Sequence, residues 1–295
     1  MKTSSPTEIE LKLALAPEGP VALRQYPLLQ ALTPQRQTLT NTYYDTPEGA
    51  LAQARIAVRL RQVDDQVLQT VKTAGHGGGG FSQRKEWEWP LATRHLDTQG
   101  LGELPPFQGA LGEVIPGLQP QLSTDFERWS WQVMWQDSHI ELALDEGKIH
   151  SGGHQATICE AELELKHGAP EALWSLAQAL AERVPLRPSD TSKAARGNAL
   201  AAQQWSLPDA DSPALWMHRA TLALDAYHDS HHAEHLETAR EALAALAADP
   251  ALTDQARDDA IVMRDALGST GQPSVAYAQA ALALAHRMAY QTALR

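Results

Sequence analysis

The chain has 295 residues, 43% apolar content, a formal net charge of −12 and one cysteine, Cys159. That length and apolar share suffice for one large or two medium packed domains. The acidic balance excludes broad binding to nucleic acid or anionic membrane, which both reward basic surfaces, so any polyanion must be bound locally, and a lone cysteine excludes an intramolecular disulfide.

The polar opening from Met1 to Thr7 lacks the apolar stretch of a secretory leader, and no run of about 18 apolar residues follows. A cytoplasmic location is expected. Residues 8 to 166 read as alternating segments broken by turn residues such as Asp45 to Gly49, Gly75 to Gly80 and Asp145 to Gly147, which predicts an antiparallel β region. One early helix is expected between Pro20 and Leu32, with two more near Pro170 to Val184 and Ser189 to Gln203, the last capped by Ser189 or Asp190. A Pro-, Asp- and Ser-rich linker, 205–213, separates this first domain, 1–204, from a helical domain over 214–295. Helical spacing there covers Pro213 to Ser230, His232 to Ala248, Thr253 to Leu267 and Ser274 to Leu294.

Charge alternation carries the chemistry. Residues two apart on a strand share a face, so Glu8, Glu10 and Lys12 oppose Ile9, Leu11 and Leu13. One such strand is ordinary in an amphipathic sheet whose charged face meets water. The pattern recurs, however, at Arg59 and Arg61, at Arg84, Glu86 and Glu88, and at Glu160, Glu162 and Glu164, with Lys72, Arg128, Glu141 and Asp145 on further segments. Like charges along a strand need opposite charges beside them or a ligand. Closing the sheet into a barrel with a charged interior meets that need, and packs the apolar faces outward against helices. Arg and Lys suit phosphoryl oxygens, and carboxylates suit Mg2+ or Mn2+, so such an interior fits a metal–polyphosphate complex.

The segments E-I-E-L-K from Glu8, Y-Y-D-T-P from Tyr43, V-R-L-R from Val58, T-V-K from Thr70, T-D-F-E-R from Thr124, E-L-A-L-D-E-G from Glu141, C-E-A-E-L-E-L from Cys159 and S-K-A-A-R-G from Ser192 together resemble a CYTH domain, the triphosphate tunnel metalloenzyme family. The resemblance runs from about Thr7 to Leu200, and within the family it is strongest to bacterial inorganic triphosphatases with a C-terminal helical domain. It implies an α+β fold: a closed, eight-stranded antiparallel β-barrel with a charged tunnel and flanking helices, then a small all-α domain. It also implies that Glu8, Glu10, Glu160 and Glu162 bind Mg2+ or Mn2+, with Glu164 a weaker member and Asp145 and Glu86 orienting basic residues or a metal. Lys12, Arg59, Arg61, Lys72, Arg84, Arg128, Lys193 and Arg196 would hold the triphosphate, the last two delivered by a helix plugging one mouth. Lys12, Arg59, Arg61 and Glu86 are the expected catalytic residues. The implied reaction is hydrolysis of inorganic triphosphate to pyrophosphate and phosphate. The alternatives are hydrolysis of thiamine or nucleoside triphosphate, cyclisation of ATP, or a non-catalytic polyphosphate or nucleotide sensor.

Other signals are set aside. Gly75 to Gly80 lacks the Gly-Lys-Ser/Thr of a phosphate loop and reads as a mobile hairpin loop. His228, His231, His232 and His235 fall at i, i+3, i+4 and i+7, a spacing that offers one helical face to a transition metal or, as the preferred reading, to solvent. Trp129, Trp131 and Trp135 are expected to pack the outer wall. The tail takes the place where relatives carry a polyphosphate-associated helical module, but it has no lysine and an excess of acids. Packing, or homo-oligomer contact through the tail, is expected of it in preference to polyanion binding.

Overall fold

A computed structural model describes residues 7–293 of the chain. The leader reading, which rests largely on Met1 to Pro6, lies almost wholly outside the described residues.

Strand β1 (Thr7–Leu15) is followed by short helices α1 (Gly19–Arg24) and α2 (Pro27–Gln30), then β2 (Gln35–Asp45), α3 (Ala50–Gln53), β3 (Ala57–Val63), β4 (Gln66–Lys72), β5 (His76–Gly78), β6 (Phe81–Leu91) and α4 (Thr98–Gly102). Three long strands come next, β7 (Gln119–Trp135), β8 (Ser138–Ser151) and β9 (His154–His167), then α5 (Glu171–Ala181), β10 (Leu186–Pro188) and α6 (Lys193–Ala202). Four helices end the chain: α7 (Pro213–Ser230), α8 (Ala233–Ala248), α9 (Asp254–Ala266) and α10 (Val275–Ala293). No helix among the described residues is long and apolar enough to cross a membrane.

The strands pair in the cycle β1–β9–β8–β7–β2–β3–β4–β6–β1, a closed antiparallel barrel of eight strands, with β10 and β5 attached to β1 and β6. The apolar positions of the alternation form its outer wall. Leu11, Leu13, Leu142, Leu144 and Leu163 lose all solvent contact against α5 and the C-terminal helices in one continuous core, each contributing about 2 kcal/mol by area. The tail therefore shares its apolar core with the barrel. Trp131 lies within that core, with Trp129 and Trp135 at its margin, and a separate layer under α3 and α4 covers Val58 and Val71.

The expected helix over 20–32 divides into α1 and α2, because residues preceding Pro27 leave the α region and Tyr26 is extended. The plug helix starts at Lys193, not after Ser189 or Asp190: Ser192 caps it, accepting from Ala195 N at 3.2 Å, while 186–188 form a strand on β1. The four histidines do not share one helical face, because His231 adopts a left-handed conformation that ends α7 and His232 begins α8. Gly75 to Gly80 does form a hairpin, and it is docked. Gly80 has φ +86° and any Cβ there would lie 2.5 Å from the Lys12 carbonyl, while Gly79 abuts Ala285 of α10.

Beyond Asp145 and Glu160 the barrel interior turns apolar. Leu39, Phe126, Ile149 and Ile158 fill it, and Leu200 of α6 closes it from outside. The helix approaches that closely because Gly197 faces Leu122, where a Cβ would meet the leucine at 2.7 Å.

Candidate active site

Cross-strand register assembles the interior from distant parts of the chain. Arg128, Asp145 and Glu160 stand in one row across β7, β8 and β9, and Lys12 pairs with Glu162 across β1 and β9. Two charged clusters result.

The first lies between β1, β4 and β6. Glu8 accepts from Lys72 at 2.6 Å and from Arg84 at 2.7 Å, and Arg84 also donates to Glu10 at 2.6 Å. Glu86 stands 3.3 Å from Lys72 and 4.0 Å from Arg59. Burial alone would raise the Glu8 carboxyl, but Lys72 and Arg84 hold it well below the usual range. Burial, reinforced by Glu8, pushes Glu10 up to about 7.

The second lies between β7, β8, β9 and α6. Arg128 grips both oxygens of Asp145 at 2.7 Å and reaches Glu162 at 2.6 Å. Lys193 enters from the first turn of α6 and donates to Asp145 at 2.7 Å, to Glu162 at 3.0 Å and to Glu160. Arg196, one turn on, reaches Glu160 at 3.4 Å and the Thr157 carbonyl at 2.6 Å. Burial opposes ionisation of Glu162, yet Lys193 and Arg128 keep its carboxyl well below the ordinary range. Oxygens of Asp145, Glu160 and Glu162 all lie within 4.8 Å of one another, a hard donor set that fits a cation of the Mg2+ or Mn2+ type.

The remaining wall is basic. Arg59 donates to Thr70 Oγ1 at 3.2 Å and Arg61 to Asn41 Oδ1 at 2.9 Å. Burial, with Arg59 and Arg128 close by, lowers Arg61 to about 10. Lys12 is buried and donates to the Thr191 carbonyl. Glu164 stands apart at the rim, opposite Glu10 and Glu141 and paired with Lys166 at 2.7 Å. Cys159 is partly buried on the outer face, its thiol pushed up to about 11 chiefly by burial.

Three interior residues escaped the charge pattern. Asn41 orients Arg61 and bonds Thr124 at 3.0 Å, Thr70 bridges Arg59 to Glu88 at 2.8 Å, and Tyr43 lies against Arg59 with its phenol lowered because Arg59 and Lys193 outweigh burial. All are uncharged: Tyr43 and Thr70 stood only as members of the segments Y-Y-D-T-P and T-V-K, and Asn41 could have been signalled only by the period-two sequence around it. Asp45 of the same segment is structural: it accepts from the backbone of Thr46, Leu51 and Ala52 and fixes α3.

A closed barrel with a charged interior spanning the first two thirds of the chain coincides with a known family, since residues 6–197 match the CYTH domain. The chain belongs to the CYTH family. A Haemophilus influenzae protein named Inorganic triphosphatase is 39% identical over 202 residues, which are 67% of this chain and 56% of that protein. The chain thus spans little more than half the length of that relative. Among solved structures, a Hippeastrum protein described as an adenylyl cyclase candidate with dominant triphosphatase activity superposes with TM-score 0.51 at 21% identity, covering 68% of this chain and 98% of that one. That likeness shows the CYTH fold. A Pyrococcus horikoshii chain aligns at TM-score 0.40 and 20% identity over 59% of this chain and 89% of its own.

Proposed function

We propose that the CYTH barrel hydrolyses inorganic triphosphate to pyrophosphate and phosphate, with Mg2+ or Mn2+. The observation that carries this reading is Arg61. Among the described residues its guanidinium bonds Asn41 and has no carboxylate within ion-pair distance, although it is half-buried beside Arg59 and Arg128. Enclosing such charges is costly unless an anion joins them, and phosphoryl oxygens match guanidinium in charge and bidentate geometry. The name of the Haemophilus relative supports the same substrate.

In this reading Arg59 and Arg61 grip the phosphate oxygens, while Lys12, Lys72, Arg84, Arg128 and Lys193 neutralise the rest of the charge, Arg196 is turned to Asp229 instead of the substrate, and Glu86 orients Lys72 and Arg59. Asp145, Glu160 and Glu162 would hold the cation, with Glu8 and Glu10 as further carboxylates. When bound, the cation offsets phosphate charge and acidifies the attacking water. Phosphoryl transfer depends mainly on positioning and electrostatics, which a rigid charged channel provides.

The test is phosphate release from inorganic triphosphate, ATP and thiamine triphosphate, with Mg2+, Mn2+ or EDTA, for the wild type and Glu8→Gln. Fastest release from inorganic triphosphate, abolished by EDTA and weakened in the variant, is expected. Equal rates in both proteins, or rates indifferent to EDTA, would overturn the reading.

A further inference from the structure

Helix α7 carries His218, Asp225 and Asp229 at i, i+7 and i+11, so the three lie on one face. This face is turned into the molecule: Asp225 is 5% exposed and Asp229 is 7% exposed. Asp225 accepts from Arg187 at 2.6 Å, from Ser189 Oγ at 3.1 Å and from the Thr191 amide at 3.2 Å. His218 Nδ1 lies 2.7 Å from Asp190, whose other oxygen accepts from the Gly80 amide at 2.7 Å. These bonds lock α7 to the stretch between β10 and α6, just ahead of Lys193.

Asp229 acts one step closer to the interior. Its two oxygens take Arg196 Nε at 3.0 and 3.2 Å, and one of them takes Nη2 at 2.6 Å, while the other terminal nitrogen of Arg196 keeps a longer 3.4 Å contact with Glu160. Glu160 also accepts from Lys193. A buried ion pair contributes little net stability, because desolvation offsets its attraction, so stability alone is a weak reason for this one. Its geometric effect is definite: Arg196 is held by the helical segment, not by the interior carboxylate it faces.

We propose that Asp229 is a positioning residue for the triphosphate site, supplied by the C-terminal helices: it draws Arg196 back so that the Glu160–Lys193 pair keeps the arrangement that receives substrate. This inference rests on the triphosphate reading above. With Asp229 neutralised, the guanidinium has Glu160 as its nearest charge and closes on it.

Full-length Asp229→Asn, Arg196→Gln and the double variant test this. Asp229→Asn keeps the shape of the side chain and leaves Arg196 both Glu160 and the Thr157 carbonyl. Three readouts apply: KM and kcat for inorganic triphosphate, metal-free triphosphate binding in EDTA by calorimetry, and the rate at which phenylglyoxal labels Arg196, located by mass spectrometry. Asp229→Asn is expected to raise KM about tenfold with kcat changed less than about threefold, to weaken metal-free binding in parallel, and to add nothing in the Arg196→Gln background. Labelling of Arg196 should slow severalfold, because the guanidinium withdraws onto the buried Glu160. Glu237→Gln, on an exposed α8 pair, serves as the unaffected control. Wild-type KM and labelling in Asp229→Asn, or additive effects of the two substitutions, would overturn the proposal. A wild type that neither binds nor cleaves triphosphate overturns the triphosphate reading instead, and the labelling rate then decides the positioning claim. Should Asp229→Asn not fold, Asp229→Glu replaces it, with retention of wild-type KM expected and a loss equal to Arg196→Gln counting against the proposal.

Discussion

The two charged clusters inside the barrel are built from similar residues and share their cations differently. Between β1, β4 and β6, Glu8 takes both Lys72 and Arg84, and Glu10 is left with a share of Arg84 and a carboxyl near neutrality. Between β7, β8, β9 and α6, the three cations Arg128, Lys193 and Arg196 are distributed over Asp145, Glu160 and Glu162, and Lys193 and Arg128 hold the Glu162 carboxyl low against burial. Alternation along a strand decides which face a charge occupies. Register between strands decides which opposite charges it meets.

Four substitutions probe this contrast. Glu162→Gln should have the largest effect, lowering turnover about a thousandfold, because it removes an ionised oxygen from the three-carboxylate set; a loss below tenfold would place the cation elsewhere. Arg61→Met should raise KM about a hundredfold while the thermal midpoint of the ligand-free protein holds or rises, since a desolvated guanidinium without a carboxylate partner is lost. A fall in both affinity and midpoint would mean that Arg61 serves the fold.

Glu10→Gln should change a pH slope. The Glu10 carboxyl sits at about 7 in the folded chain against an ordinary 4.5, so the folded state keeps a proton that the unfolded state has released. Its stabilising contribution is present in full below the unfolded value and is lost as pH rises through about 7. In EDTA the wild-type midpoint should therefore fall more steeply between pH 5 and 8 than that of Glu10→Gln, by the equivalent of about one proton. Parallel slopes would assign the titration to another group. Glu164→Gln should matter least, changing kcat/KM less than about twofold, because the rim carboxylate is paired with Lys166 and partly solvated; a large loss would draw the rim into the site.

Much of this was readable in the sequence, for identifiable reasons. The alternation at Glu8 to Lys12, Arg59 to Arg61 and Glu160 to Glu164 marks strands with one charged face, and opposite signs on different strands require closure. The C-terminal helices were visible from spacing, and the breaks at Asp249-Pro250 and Gly268 to Pro273 fall between α8, α9 and α10. Pairing was not visible. Nothing local says that Glu164 meets Glu10 at the rim while Glu160 descends to Lys193, because that offset depends on hydrogen bonds between residues about 150 positions apart. Asn41 carries no charge and gave no signal, Tyr43 and Thr70 entered only as members of the segments Y-Y-D-T-P and T-V-K without a role of their own, and the buried roles of Asp225 and Asp229 depend on how α7 docks. The break at Tyr26-Pro27 and the Ser192 cap were local signals outweighed by longer apolar spacing.

The apolar layer that Leu39, Phe126, Ile149 and Ile158 form with Leu200 seats the same helix, α6, that carries Lys193. Packing and electrostatics are thereby joined in one element. A substitution that loosens Leu200 also shifts the ammonium shared by Asp145 and Glu160, so it acts on the charged centre without touching it.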